Sequence, residues 1–254
     1  MTNSKILPLE ETQAIKAKVK KDFCIIATGY PGYDKWIESC LTSYKKLGFF
    51  LILSYDQGVP PRSSVTKLAD ITLVKYRTVA TLNYSSLWLW KLALPIVEEF
   101  GFKNVFVICG DNYIEKPEGF PNLISHLEGY DILTYWYDGN INKGAGRVGT
   151  MAWICSTKTF RMVLDEMSRI WYERPSGGKV EEKLSRAAFA LRLKVAPTVK
   201  TKYDFRLAPD GYNGVAKVDR GLFGDIIGLR HIHREAELRA HQGLPPIEDH
   251  FLKR

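Results

Sequence analysis

Residues 105–112, VFVICGDN, decide how this chain folds. An unbroken apolar run rich in β-branched residues is the pattern of a strand buried on both faces, and Gly110 ends it. Asp111 and Asn112 therefore stand at the carboxyl end of that strand. Upstream, residues 23–28 (FCIIAT) repeat the pattern and are broken by Gly29, Pro31 and Gly32, and residues 49–54 (FFLILS) repeat it again, ending at Tyr55 and Asp56. Residues 71–74 read as a further strand. Between the first two runs, Asp34 is placed to cap a helix, along which Trp36, Ile37, Cys40, Leu41, Tyr44 and Leu47 recur at helical spacing until Gly48 stops it. Ser85 or Ser86 opens a long apolar helix over residues 87–100. Strands that alternate with helices in this order imply an α/β fold with a mostly parallel sheet, in which ligands gather at the carboxyl ends of the strands. Tyr30, Asp56 and Asp111 all fall there.

Beyond residue 130 the pattern loosens. Residues 131–137 and 151–156 read as strands, residues 158–172 and 179–193 as helices, and residues 201–254 as mixed. The glycine-rich stretch 139–149 and the segment 175–178 (PSGG) read as loops. Within residues 9–22, LEETQAIKAKVKKD, a short basic amphipathic helix or arm is expected.

With 254 residues, 45% hydrophobic and 25% charged, the chain has ordinary globular composition, which excludes disordered, collagen-like and coiled-coil classes. No apolar run approaches the roughly 20 residues of a membrane span, and the lysine-rich start lacks the apolar core of a secretory signal, so a cytoplasmic protein is expected. Cys24, Cys40, Cys109 and Cys155 are scattered singly, which suits reduced thiols better than a disulfide frame or a zinc cluster. Charge is more telling. Residues 1–138 carry 15 Lys+Arg against 15 Asp+Glu, whereas residues 139–254 carry 21 against 13, so the whole net charge of +8 belongs to the second half. That excess reads either as a solvated basic surface or as a face for an anionic partner.

The run of motifs resembles the glycosyltransferase A fold of nucleotide-sugar-dependent glycosyltransferases over roughly residues 22–200. FCIIATGYPGYDKWIESCLTSYKKLG is similar to their opening strand, donor loop and a helix with an early Trp. LILSYDQG resembles the strand ending in a donor-binding Asp, and VFVICGDNYIEKP the strand ending in their Asp-x-Asp motif. GTMAWICSTKTF resembles a later glycine-containing strand with its helix, and KVEEKLSRAAFALRLKV the segment bearing a paired acid. The resemblance implies one domain with helices on both faces of the sheet: an arm over residues 1–22, a donor half over 23–138 and a basic acceptor half over 139–254. It also implies that Asp111 takes the second position of Asp-x-Asp. Cys109 then stands where the first acid is expected, so the motif is degraded.

Three clusters carry the chemistry. Asp111, emerging beside a glycine that permits close backbone approach, is placed to hold a divalent metal or a ribose hydroxyl, with Asn112 on the same donor side. A lone Asp after a strand also serves as a cap or turn residue. Arg230-His231-Ile232-His233-Arg234 puts His231 and His233 on one face of a strand; imidazole suits Mn²⁺ and guanidinium suits phosphate. In the resembled family a late His completes the metal shell, so His231 or His233 is expected to partner Asp111 on Mn²⁺ or Mg²⁺, and Arg230 to join the donor site. Glu181-Glu182 is the third cluster. The resemblance makes Glu182, with Glu181 beside it, the base that deprotonates the acceptor; adjacent acids opening a helix also simply suit its dipole. By position, Tyr30 is expected to stack on a nucleobase, Asp56 to accept from uracil or ribose, and Lys91 to reach the diphosphate, each with a packing or surface alternative. Tyr135, Trp136 and Tyr137 are expected on the acceptor side.

The expectation is therefore a transferase moving a sugar from a nucleoside diphosphate, with a UDP-sugar as the expected donor, to a hydroxyl acceptor. The basic half suggests a hydroxymethylated pyrimidine in DNA, turned out of the stack to reach the site. Transfer to a surface glycan or lipid-linked precursor, and a non-catalytic nucleic-acid-binding protein with a degraded metal motif, are the alternatives.

Overall fold

The structure is a computed structural model, and it describes residues 22–30, 34–56, 61–75, 82–135, 137–138, 147–173, 180–196 and 222–232, together with 236, 240 and 243. The expected arm over residues 1–22 therefore lies outside the described residues except for Asp22, as do His233, Trp136 and most of the 139–149 and 175–178 loops.

Ten strands are described: β1 (Phe23–Gly29), β2 (Phe50–Tyr55), β3 (Ile71–Val74), β4 (Asn104–Cys109), β5 (Asn112–Ile114), β6 (Ile132–Thr134), β7 (Tyr137–Asp138), β8 (Arg147–Val148), β9 (Ala152–Ser156) and β10 (Leu229–His231). The α-helices are α1 (Asp34–Lys45), α2 (Ser63–Thr66), α3 (Leu82–Phe100), α4 (Phe120–Ser125), α5 (Thr157–Glu173), α6 (Val180–Ala190) and α7 (Leu222–Ile227). Six strands form one sheet in the order β3-β2-β1-β4-β9-β6, and two small antiparallel pairs, β10-β5 and β7-β8, stand apart from it. Pairing is parallel from β3 to β4 and antiparallel on both sides of β9, so β9 alone runs against the others. The fold is thus α/β with a mixed, mostly parallel sheet, as the alternation of strands and helices implies.

Both faces of the sheet are covered, which is why its central strands are apolar at every position rather than at alternate ones. All seven residues of β1 and all six of β2 are buried. On one face Ile25, Ala27, Leu51, Leu53, Phe106 and Ile108 pack with Trp36, Ile37, Cys40, Leu41 and Tyr44 of α1, with α4 and with Phe223 and Ile227 of α7. On the other, Cys24, Ile26, Val105, Val107 and Trp153 pack under α3, α5 and α6. Residues from both halves of the chain enter both cores. Two tryptophans of the apolar helix α3 divide the work: Trp90 is buried edge-on against Trp153, with ring centroids 5.4 Å apart, and Trp88 meets Trp171 of α5 at 6.4 Å. Tyr135 is corrected in place: its ring is buried against Phe223 at 6.3 Å, so it belongs to the core and not to an acceptor surface.

From β1 the chain steps outward to β2 and β3, then crosses back through α3 to β4 on the opposite side of β1. This reversal of strand order makes the carboxyl ends of β1 and β4 a topological switch point, the general binding position of open α/β sheets. The two strand ends meet there very closely. The Gly110 amide donates to Thr28 O at 2.7 Å, and a Cβ on Gly110 would sit 2.8 Å from that same oxygen. No side chain fits without moving backbone. Gly110→Ala is expected to destabilise the protein by about 1–3 kcal/mol, read as a lower urea midpoint with an unchanged slope; wild-type stability in that variant would contradict the close approach.

Candidate functional site

β4 ends at Cys109, and the chain turns through Gly110 and Asp111 into β5, which pairs antiparallel with β10 in the register His231↔Asn112, Arg230↔Tyr113 and Leu229↔Ile114. This pairing brings residues some 120 positions apart in sequence into contact. His231 Nε2 and Asp111 Oδ2 lie 2.7 Å apart, and the Ile232 amide donates to Asp111 O at 2.9 Å. Asp111 is 1% exposed, while the His231 side chain is partly open to solvent. A carboxylate this deeply buried needs partners for its charge. Its Oδ2 has the imidazole; its Oδ1 is buried with no hydrogen-bond partner, and so is Oδ1 of the neighbouring Asn112, whose Nδ2 donates to Met151 O at 3.1 Å.

Cys109, at the first position of the degraded acidic motif, presents a neutral thiol. Burial is the main cause that pushes its titration far above the ordinary thiol range; the charges of Asp111 and Glu181 add to it, and a hydrogen bond with Thr28 opposes it. Among the described residues no group of three or more His, Cys, Asp or Glu side chains is arranged to hold a metal ion. Asp111 and His231 are thus a pair rather than a cage. Small divalent cations are commonly held in that way, by one or two protein groups and the phosphates of a substrate.

The paired acids open α6. Glu181 Oε1 accepts from Thr150 Oγ1 at 3.1 Å, and the next residue, Met151, offers the carbonyl that accepts from Cys109 N at 2.8 Å and from Asn112 Nδ2. Glu181 is thus tied to the end of β4, and its charge is felt at Cys109. Glu182, half-buried on the same turn, raises the titration of Lys183, against the larger opposing effect of that lysine's burial.

Other expected site residues divide between the carboxyl ends of the strands and elsewhere. Tyr30 follows β1 and is buried, its hydroxyl 2.7 Å from Ser86 Oγ in the second turn of α3, which anchors the β1 loop to that helix. Asp56 follows β2, with its amide donating to Gly29 O at 3.0 Å and its Oδ1 3.5 Å from Lys75 Nζ. Lys75, at the end of β3, escaped the sequence reading because a single lysine after a four-residue strand has no pattern around it. Arg230 is next to His231, and alternation along β10 turns it the other way, to Glu115 at 3.4 Å. Lys91 does not join these groups: its ammonium donates to Ser168 Oγ of α5 at 2.9 Å and lies 5.7 Å over the ring of Trp88. His233 is outside the described residues, so the strand-face pairing of two histidines rests on His231 alone.

No family model matches the sequence, and no curated protein matches it. Among solved structures, the chain is similar to a candidate nucleotide-diphospho-sugar transferase from Desulfovibrio desulfuricans G20, at 15% identity over 70% of this chain and 80% of that one, with a TM-score of 0.44. A likeness this distant assigns no residue a role. No helix among the described residues is long and apolar enough to cross a membrane.

Burial as the leading cause raises the titration of Cys24, Cys40, Cys109 and Cys155, and all four are free of disulfide bonds. A thiol must ionise to be alkylated, so its reactivity rises only as pH approaches its titration range. Iodoacetamide at pH 8 is expected to leave all four unmodified in the folded protein and to modify all four in denaturant, read by intact mass. Rapid native labelling of Cys109 would contradict the neutral thiol beside Asp111.

Proposed function

We propose that the chain is a nucleotide-sugar-dependent glycosyltransferase with its donor site at the carboxyl ends of β1 and β4. The observation that supports this reading above the others is the Asp111–His231 contact of 2.7 Å at the topological switch point of the sheet. It joins a buried carboxylate, whose Oδ1 has no hydrogen-bond partner among the described residues, to a partly exposed imidazole, the pairing that the resemblance implies for the donor diphosphate.

In this reading Asp111 and His231 would hold Mn²⁺ or Mg²⁺ beside the donor diphosphate, and the ion would supply charge neutralisation for the leaving nucleoside diphosphate. Asp56 and Tyr30 receive the nucleoside, Asn112 borders the diphosphate, Arg230 stays turned to Glu115 away from it, and a UDP-sugar is the donor. The base that takes the proton of the acceptor hydroxyl comes from the Glu181-Glu182 pair, and the link from Glu181 through Thr150 to the end of β4 favours Glu181 for that role over Glu182. A general base must reach the acceptor hydroxyl while it is attacking, and Glu181 would do so from the start of α6, close to the end of β4.

The test is thermal melting with UDP and Mn²⁺, separately and together, followed by hydrolysis of a UDP-sugar panel. UDP and Mn²⁺ together are expected to raise the melting temperature by more than the sum of each alone. Asp111→Ala is expected to keep the fold and to lose that synergy with at least about 100-fold of the turnover. Glu181→Gln is expected to lower acceptor transfer by about 100-fold, with Glu182→Gln costing about tenfold or less; the reverse order would move the base to Glu182. No stabilisation and no hydrolysis under any condition would reject the enzyme in favour of a non-catalytic binder.

For the acceptor we propose DNA carrying a hydroxymethylated pyrimidine, supported by the confinement of the entire positive excess to residues 139–254, the acceptor half. Most of that excess lies outside the described residues. Duplex affinity is expected to fall about tenfold or more between roughly 50 and 200 mM salt, because each phosphate contact releases counterions. A nearly flat salt dependence would turn the reading toward a surface glycan or lipid-linked acceptor.

A further inference from the structure

We infer that Tyr44 is a positioning residue that sets the place of Asp111 by clamping the turn between β4 and β5 from beneath. Its side chain is wholly buried in the core under the sheet, and its hydroxyl shares its one proton between two main-chain carbonyls in a three-centre bond, Cys109 O at 2.7 Å and Asn112 O. Those two carbonyls flank Gly110 and Asp111, so a single phenol spans the turn on either side of the carboxylate. Burial first, and then the nearby Cys40, Asp111 and Cys109, push the phenol's titration well above its usual range, against a smaller opposing effect of the Asn112 bond; the hydroxyl therefore stays a donor at any physiological pH.

The rest of the turn explains why such a clamp matters. Gly110 is tied to Thr28 O, Cys109 N to Met151 O, and Asp111 O receives the Ile232 amide, so the turn is held from the β1 side, the β9 side and the β10 side. Those bonds hold main-chain atoms at the top and edges of the turn. None comes from the core face, where without Tyr44 the Cys109 and Asn112 carbonyls would lose a buried donor. Asp111 Oδ2 meets His231 at 2.7 Å only while the turn keeps its height relative to β10, and small displacements of a group in a site are costly to turnover. On the same helix, Ser43 Oγ accepts from the Ile114 amide at 3.1 Å, anchoring β5 further along without touching the turn. Ser43 is thus a matched control: the same helix, a comparable buried bond, and no direct hold on Asp111.

The experiment compares Tyr44→Phe, which removes the hydroxyl and keeps the ring, with Ser43→Ala. Native-state amide exchange is expected to quicken at least about tenfold at Gly110 and Ile232 in Tyr44→Phe, and to stay within about twofold of wild type at both in Ser43→Ala, which instead quickens Ile114. The second readout rests on the glycosyltransferase reading: UDP-sugar hydrolysis by Tyr44→Phe is expected to lose about tenfold in kcat with KM nearly unchanged, and Ser43→Ala to lose neither. Wild-type exchange at Gly110 and Ile232 in Tyr44→Phe, or an equal kcat loss in both variants, overturns the inference. If the wild type hydrolyses no UDP-sugar, the donor reading fails, and the exchange comparison alone decides the clamp. In the wild type a slowly exchanging Tyr44 hydroxyl proton is expected by NMR even if the variant does not fold, and a rapidly exchanging one overturns the clamp.

Discussion

A carboxylate buried at the end of a strand is the constraint on which the rest of this molecule turns. Leaving Asp111 without partners in the interior would cost several kcal/mol, so the fold must bring it compensation. It does so with a segment from the far end of the chain: β10 pairs with β5, and in that register His231 meets Asp111. The same turn is tied to Thr28, to Met151 and to Tyr44, which means that β1, β9 and α1 all contribute to where one carboxylate sits. Such concentration of bonds around a group that does nothing for the core is what a binding site requires, because its geometry must survive without a ligand.

Much of the sheet was legible in the sequence, for a physical reason. Strands β1, β2 and β4 are buried on both faces, so each is a run of apolar residues with no phase to misread, and Ile71–Val74 was found at its observed bounds. The long helices α5 and α6 begin and end within a few residues of their expected limits. What local pattern does not contain is pairing direction. That β9 runs against its neighbours is decided by how the chain returns from β8, and nothing within AWICS encodes it. The short pair β5 and β10 is similarly non-local, since three residues in each strand gain their identity only from one another.

The site was legible in part. Asp111 stood out because a buried strand pointed at it, and His231 because histidines are rare in this chain and two of them flank Ile232. Which of Glu181 and Glu182 is tied to the end of β4 depends on about 100° of helix phase, and that in turn depends on where α6 docks. Lys91 has the charge expected of a phosphate ligand, yet the helix packing of α3 on α5 directs it to Ser168. Tyr44 was visible only as one of six positions at helical spacing over residues 36–47; its hydroxyl acquires meaning from two carbonyls more than sixty residues away. The neutral thiol of Cys109, by contrast, follows directly from placing a cysteine in a dry strand end next to negative charge.

On the proposed reading the donor site is built around a pair instead of a cage, and a substrate's own phosphates complete what the protein begins. The most direct test is a double-mutant cycle on UDP affinity in the presence of Mn²⁺, measured by calorimetry with Asp111→Asn, His231→Gln and the double variant. If both groups act on one ligand, each single change weakens binding by about tenfold or more, and the double variant loses far less than the product of the two. Losses that multiply, or affinities that do not change, would separate the two residues and contradict a shared site.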